Sequence, residues 1–149
     1  VGLNVASDPL MSLEYVGVKG GMVILVADDP GPISSQTEQD TRHFSRFSKL
    51  PCFDPSSAQE AYEMIQEAFE YSEKYKTPVF LRPTTRVCHG YATIDIKDKL
   101  RILPQQTGRL YQGFQALGHF PETVFMNHQK IEARNKELSD VFLLMKRTN

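Results

Sequence analysis

Residues 22–27 read MVILVA, six apolar positions in a row, and they lead straight into the polar stretch DDPGPISSQTEQD. An unbroken apolar run of this length predicts a strand covered on both faces. Residues 1–6, VGLNVA, are short and apolar and predict an earlier strand. Between the two, Asp8 is a candidate N-cap with Pro9 at the first helical position, where its missing N–H has no partner to lose. Leu10, Leu13, Val16 and Gly17 then form one apolar face, and Gly20-Gly21 stops the helix. Further on, Ser35-x-x-Glu38 reads as a capping box for a second helix with Phe44, Phe47 and Leu50, ended by Pro51. Cys52-Phe53 is a very short strand candidate. Ser57-x-x-Glu60 caps the clearest helix, whose Ala58, Ala61, Tyr62, Ile65, Ala68, Phe69 and Ser72 recur at helical spacing, with Glu63, Glu67, Glu70 and Lys74 outside that set. Thr77-Pro78 breaks it, and VFLRP (79–83) predicts another buried strand.

Strands alternating with helices predict an α/β fold, a mainly parallel sheet with helices on both faces. The pattern changes past Ile96. Residues 97–123 mix polar and apolar positions with three glycines and two prolines, as in a linker or a surface-wrapping segment. A last helix begins near Asn127, with Ile131, Leu138, Val141, Phe142 and Met145 on one face. That face requires a partner, either the sheet or a region outside this chain. The expected division is therefore residues 1–96 as a sheet domain and 97–149 as linker and C-terminal helix. The start on Val1, directly in an apolar segment, reads as a fragment of a larger polypeptide.

At 149 residues and a net charge of −1, the chain has the length of one domain and no global field favouring nucleic acid or an anionic membrane. No apolar run approaches the roughly 20 residues needed to span a bilayer. Cys52 and Cys88 form no CxxC and sit beside apolar residues, so both read as buried small hydrophobes. The four histidines lack metal-ligand spacing, and no metal site is expected of this chain. His43, beside Arg42, is a weak site candidate. No nucleophile elbow, P-loop or dinucleotide fingerprint is present.

In open α/β sheets, ligands bind where loops leave the carboxyl ends of the strands. Residues 4–8, 28–40 and 82–89 all fall at such positions. Ser34, Ser35 and the following helix start offer donors to an anion or a polar ring, with Gln36, Glu38, Gln39 and Asp40 alongside. The plainer alternative is that Ser35, Glu38 and Asp40 only cap a helix while Asp28 and Asp29 sit in water. An Asp28/Asp29 acid/base pair is weaker, because adjacent strand residues point apart. Arg82, Thr84, Thr85 and Arg86 suit a carboxylate or phosphate, but an ion pair with the acidic loop across the sheet edge ranks ahead of that.

Two long signatures, DDPG-x-x-SSQ-x-EQD-x-RHF (28–44) and FLRPTTRVCH (80–89), carry a resemblance. Over residues 1–89 the chain resembles the alpha subunit of the indolepyruvate ferredoxin oxidoreductases, within the thiamine-diphosphate-dependent 2-oxoacid:ferredoxin oxidoreductase family. The resemblance implies an incomplete thiamine-diphosphate-binding fold, the latter part of the pyrimidine-side domain, with a C-terminal helical tail. It implies oxidative decarboxylation of aryl 2-oxoacids: indolepyruvate, coenzyme A and oxidised ferredoxin give indoleacetyl-CoA, carbon dioxide and reduced ferredoxin. The complete enzyme uses thiamine diphosphate with Mg2+ and 4Fe-4S clusters, with no metal and no cluster held by this chain. The family's catalytic glutamate belongs upstream of Val1, and the diphosphate-binding GDG motif is absent, so the isolated chain is expected to be inactive. By position, the resemblance places Asn4, Ser7 and Asp8 on one cofactor-binding wall and Ser34, Ser35, Gln36 and Glu38 on the other. Implied partners are the remaining domains of the subunit, a beta subunit, ferredoxin, coenzyme A and the 2-oxoacid. The cysteine usage and the lack of a signal-peptide pattern read as cytoplasmic, and surface that would meet a partner domain predicts self-association of the fragment. Pyruvate, 2-oxoglutarate or branched 2-oxoacids remain alternative substrates, and a non-catalytic interaction module is the alternative of a different class.

Overall fold

A computed structural model describes residues 2–31, 33, 35–96 and 121–145. In chain order these form α1 (Gly2–Val5), α2 (Ser7–Val16), β1 (Val23–Leu25), α3 (Thr41–Ser48), β2 (Cys52–Phe53), α4 (Ala58–Tyr75), β3 (Val79–Leu81), α5 (Thr85–Cys88) and α6 (Pro121–Met145). The strands make one parallel sheet in the order β1-β3-β2, with Val23 opposite Val79 and Cys52 opposite Phe80. The expected parallel α/β sheet is present, with β3 at its centre and buried throughout.

The strand period of two sorts the core into two layers. Phe53, Val79 and Leu81, with Val23, face α4 through Ala68, Met64 and Ile65. Phe80, with Ile24, Val26 and Cys52, faces Leu3, Ala6, Leu10, Phe44 and Leu50 from α1–α3 and its exit. α6 spans both layers. Its Phe142 stacks on Tyr71 at 5.6 Å and meets Phe53 edge-on at 5.7 Å, while Arg134 reaches Glu14 of α2 at 2.9 Å. The apolar face of the last helix thus finds its partner in the sheet body. Of the expected linker over residues 97–123, residues 97–120 lie outside the described residues, and 121–123 belong to α6, which starts at Pro121 rather than near Asn127.

Four further expectations need correction. Of the strand expected over residues 1–6, the described residues 2–6 form no strand but the helix α1 and its exit. Leu3, Ala6 and Leu10 fall at helical spacing on one stripe, and Ala6 N–H to Gly2 O (3.0 Å) and Leu10 N–H to Ala6 O (3.1 Å) run α1 almost directly into α2. β1 is not covered on both faces. It pairs only with β3, and Leu25 is 67 % exposed at this edge. The first helix ends earlier than Gly20, at Gly17, whose φ of +75° suits glycine and whose N–H bonds Leu13 O. Finally, Cys88 is exposed, and only Cys52 is partly buried. Among the described residues no helix is long and apolar enough to cross a membrane.

Candidate functional site

The polar loop between β1 and α3 has a buried neck and an exposed tip. At the neck the backbone pairing of β1 with β3 continues past the strands: Asp28 N–H donates to Pro83 O (3.0 Å), and Thr85 N–H donates to Asp28 O (2.9 Å). The Asp28 carboxylate, 3 % exposed, accepts from Arg82 Nε at 2.6 Å and from Thr41 N–H at 2.7 Å. Asp29 is also buried. Its carboxylate takes the Thr85 hydroxyl (3.0 Å) and Ser35 N–H (2.8 Å), and its carbonyl takes Gln39 N–H (3.1 Å). Neither aspartate sits in water, and both are consumed in holding the loop. The acid/base pair therefore finds no support.

Arg82 is the hub of this arrangement. Besides Asp28, its Nη1 binds both oxygens of Asp54 at 2.9 Å, and its Nη2 lies 3.5 Å from Asp40. Burial works against its charge, but the hydrogen bonds and charges of Asp28 and Asp54 outweigh it, so the guanidinium pKa is raised. The ion pair expected across the sheet edge is present. Sequence reasoning missed Asp54, 28 positions away from Arg82, because only the pairing of β2 with β3 brings it there. It also missed the Asp40–Arg42 fork, with Nε to Oδ1 at 2.9 Å and Nη2 to Oδ2 at 2.6 Å. The Arg42 bond holds the Asp40 carboxyl well below the usual carboxylate range. An Asp-x-Arg spacing at a helix start was the available signal.

Asp40, not Ser35, is the N-cap of α3, accepting from Arg42 N–H at 3.0 Å. The Ser35 hydroxyl instead donates to Thr37 O at 2.5 Å. Gly31 turns the chain with φ +96°, and Ile33, Ser35, Gln36, Thr37 and Glu38 are exposed beyond it. Ser34 lies outside the described residues. Asn4, Ser7 and Asp8 sit on the α1–α2 helical turns rather than at a strand end, with Asn4 and Asp8 exposed and the Ser7 hydroxyl bonded to Asn4 O (2.8 Å). No hydrogen bond or ion pair among the described residues joins them to the loop tip. Their nearest link is hydrophobic: Leu3 and Ala6 share a cluster with Val26, just before the neck. The imidazole of His43 is 88 % exposed, 4.0 Å from Asp40. Cys52, whose thiol is pushed up to about 11 by burial, carries no nucleophilic role.

The donor set bears on a thiamine cofactor in two ways. Gln36 and Glu38 are exposed at the ligand-binding end of the sheet and offer a donor–acceptor pair to a polar ring. The aspartates Asp28 and Asp29 are committed to the neck, and among the described residues no group of three His, Cys, Asp or Glu is placed to hold a metal ion. The tip fits a wall beside an aminopyrimidine, and the neck does not fit a metal–diphosphate holder.

Comparisons with known proteins agree with this fold. The chain is 44 % identical over 138 residues to indolepyruvate oxidoreductase subunit IorA of Methanothermobacter thermautotrophicus, covering 93 % of this chain and 22 % of that protein. The subunit of the same name from Pyrococcus horikoshii is 45 % identical over 120 residues (80 % of this chain, 17 % of that protein), and the one from Thermococcus kodakarensis 56 % over 90 residues (60 % and 14 %). The chain thus spans less than a quarter of the length of these relatives. No solved structure gives a significant match. Residues 22–140, reaching from β1 well into α6, match the family model described as "Pyruvate flavodoxin/ferredoxin oxidoreductase, thiamine diP-bdg", and with most of its length inside that match the chain belongs to this thiamine-diphosphate-binding family.

Proposed function

We propose that this chain forms part of the pyrimidine-side wall of the thiamine diphosphate crevice in a cytoplasmic oxidoreductase that oxidatively decarboxylates aryl 2-oxoacids such as indolepyruvate. The observation that carries the reading is the loop after β1: a rigid neck at the carboxyl end of a parallel sheet, presenting an exposed tip of hydrogen-bonding side chains. Bound thiamine diphosphate would supply the electron sink for decarboxylation. The chain's own part is to orient and to exclude water. Gln36 and Glu38, with Ser34 and Ser35, would position the polar ring, and Asn4, Ser7 and Asp8 would line the opposite wall. Residues 1–96 would act as the sheet domain, with 97–149 leading to the rest of the subunit. The Mg2+ and 4Fe-4S clusters would be held by other domains and a beta subunit, with coenzyme A as acyl acceptor and ferredoxin taking the electrons. The isolated chain is expected to be inactive and to self-associate through surface its neighbours would cover.

The family description, which names pyruvate, favours a second reading with that smaller substrate. The two separate on the full-length subunit assembled with its partner. Coenzyme-A-dependent reduction of a viologen dye should run at lower KM with indolepyruvate and phenylpyruvate than with pyruvate or 2-oxoglutarate. A preference for pyruvate would replace the aryl reading. Failure with all four by an assembly that contains cofactor and clusters would overturn both.

A further inference from the structure

Behind the neck, where β2 and β3 end, lies a cavity of about 530 Å3 that Pro30 lines but the described residues of the loop tip do not. Arg42, Arg82 and Arg86 all border it, with Asp54 as the acidic residue in its wall. Ser56, Ser57 and Ala58 bring the start of the 18-residue helix α4 to the same wall. Its outer side is the segment carrying Tyr91 and Ala92, pinned to α4 by two bonds between the Gln59 amide and the Asp95 backbone (2.8 and 3.4 Å).

Three arginines face three aspartates here, but the pairing is uneven. Arg42 is tied to Asp40, and Arg82 is shared among Asp28, Asp54 and Asp40. Arg86 is exposed and makes no ion pair with a described residue. Arg82, only 2 % exposed, also keeps an Nη2 sealed from solvent without a hydrogen bond, so the acids around it leave part of its donor capacity unused. At the start of α4, Ser57 Oγ takes Glu60 N–H, and the Glu60 carboxylate takes Ser56 N–H and its hydroxyl. That leaves the Ala58 and Gln59 N–H groups at the positive end of a long helix.

We propose that this cavity receives a phosphate group. Three guanidinium groups, one of them without an ion-pair partner among the described residues, and the first residue of α4 border a space in the size range of ligand pockets. Arg86 supplies the unpaired charge, the start of α4 supplies a backbone donor at Ala58, and Arg82 borders the space with one Nη2 still unsatisfied. Asp54 opposes the anion and sets the affinity by competing for Arg82. The proposal stands apart from the oxidoreductase reading, since phosphate binding by this chain requires no turnover.

The test is a titration of the full chain with inorganic phosphate, followed by amide NMR. Saturable binding should shift the Ala58 and Gln59 amides. Arg86→Gln should weaken it at least 10-fold, and Asp54→Asn should tighten it several-fold. Arg46→Gln, an exposed arginine of α3 outside this cavity, should leave it unchanged. Parallel titrations with coenzyme A against pantetheine, and thiamine diphosphate against thiamine, distinguish which phosphate-bearing molecule gains most from the site. Phosphate shifts confined to other residues, equal losses in Arg46→Gln and Arg86→Gln, or acetate binding as tightly as phosphate would each overturn the proposal.

Discussion

The neck and the tip of the β1–α3 loop are built from similar residues and are used in opposite ways. Asp28 and Asp29 are buried, and each carboxylate accepts at least two hydrogen bonds. A few positions later, Gln36 and Glu38 are exposed. Polarity alone therefore does not mark a site. A buried carboxylate is tolerated only when its partners are fixed, so within this loop the neck is committed to structure, and the described tip residues Gln36 and Glu38 are the ones exposed to a ligand or a neighbouring domain.

Breaking the neck should give the largest effect. Arg82→Met strands Asp28 without its main ionic partner and should cost on the order of 3–5 kcal/mol, read as a fall in denaturation midpoint. A near-neutral result would mean that the neck is not held by this hub. The Glu14–Arg134 pair under α6 provides the second test. Burial raises Glu14 and lowers Arg134, against their mutual attraction, so desolvation there outweighs pairing. Arg134→Met should therefore destabilise by about 3 kcal/mol, and Glu14→Gln in the same chain should recover part of that loss in a double-mutant cycle.

Capping comes next in size. Asp40→Ala should cost about 1 kcal/mol through the lost α3 cap. Asp40→Asn keeps much of the cap and removes the titration. Because the Asp40 carboxyl is held below its ordinary 3.8, its contribution is present above that pH and lost as pH falls through the lowered value. Chemical denaturation of Asp40→Asn between pH 5 and pH 2 should show a shallower acid-side loss than the parent. Glu14 acts with the opposite sign. Raised above 4.5, it favours the folded state while protonated and loses that contribution as pH rises through its folded value. Glu14→Gln should remove that component of the slope.

Much of this fold was legible in the sequence, and the misses have physical causes. The apolar runs at β1 and β3, the Cys52-Phe53 strand and the capped α4 were all visible as local pattern. Residues 1–6 were misread because a short apolar run fits a strand or a helix, and only the Leu3–Ala6–Leu10 stripe decides between them. The exposure of Leu25 depends on which strand is central, which comes from the β1-β3-β2 order and not from the residues of β1. Of the candidate site, the convergence of the loops after β1 and β3 was readable, as was the Arg82 ion pair. The choice of Asp40 over Ser35 as cap was not, because Asp29 captures the Ser35 N–H through a contact six residues back in the chain.

The smallest expected effect on stability bears most directly on the division between neck and tip. The double variant Gln36→Ala/Glu38→Ala, made in the full-length subunit and assembled with its partner, should melt within about 0.5 kcal/mol of the parent. Its kcat/KM for 2-oxoacid oxidation should fall at least 10-fold, about 1.4 kcal/mol of transition-state stabilisation. Unchanged kcat/KM, or a melting loss comparable to that of Arg82→Met, would contradict the assignment of the tip to function and the neck to structure.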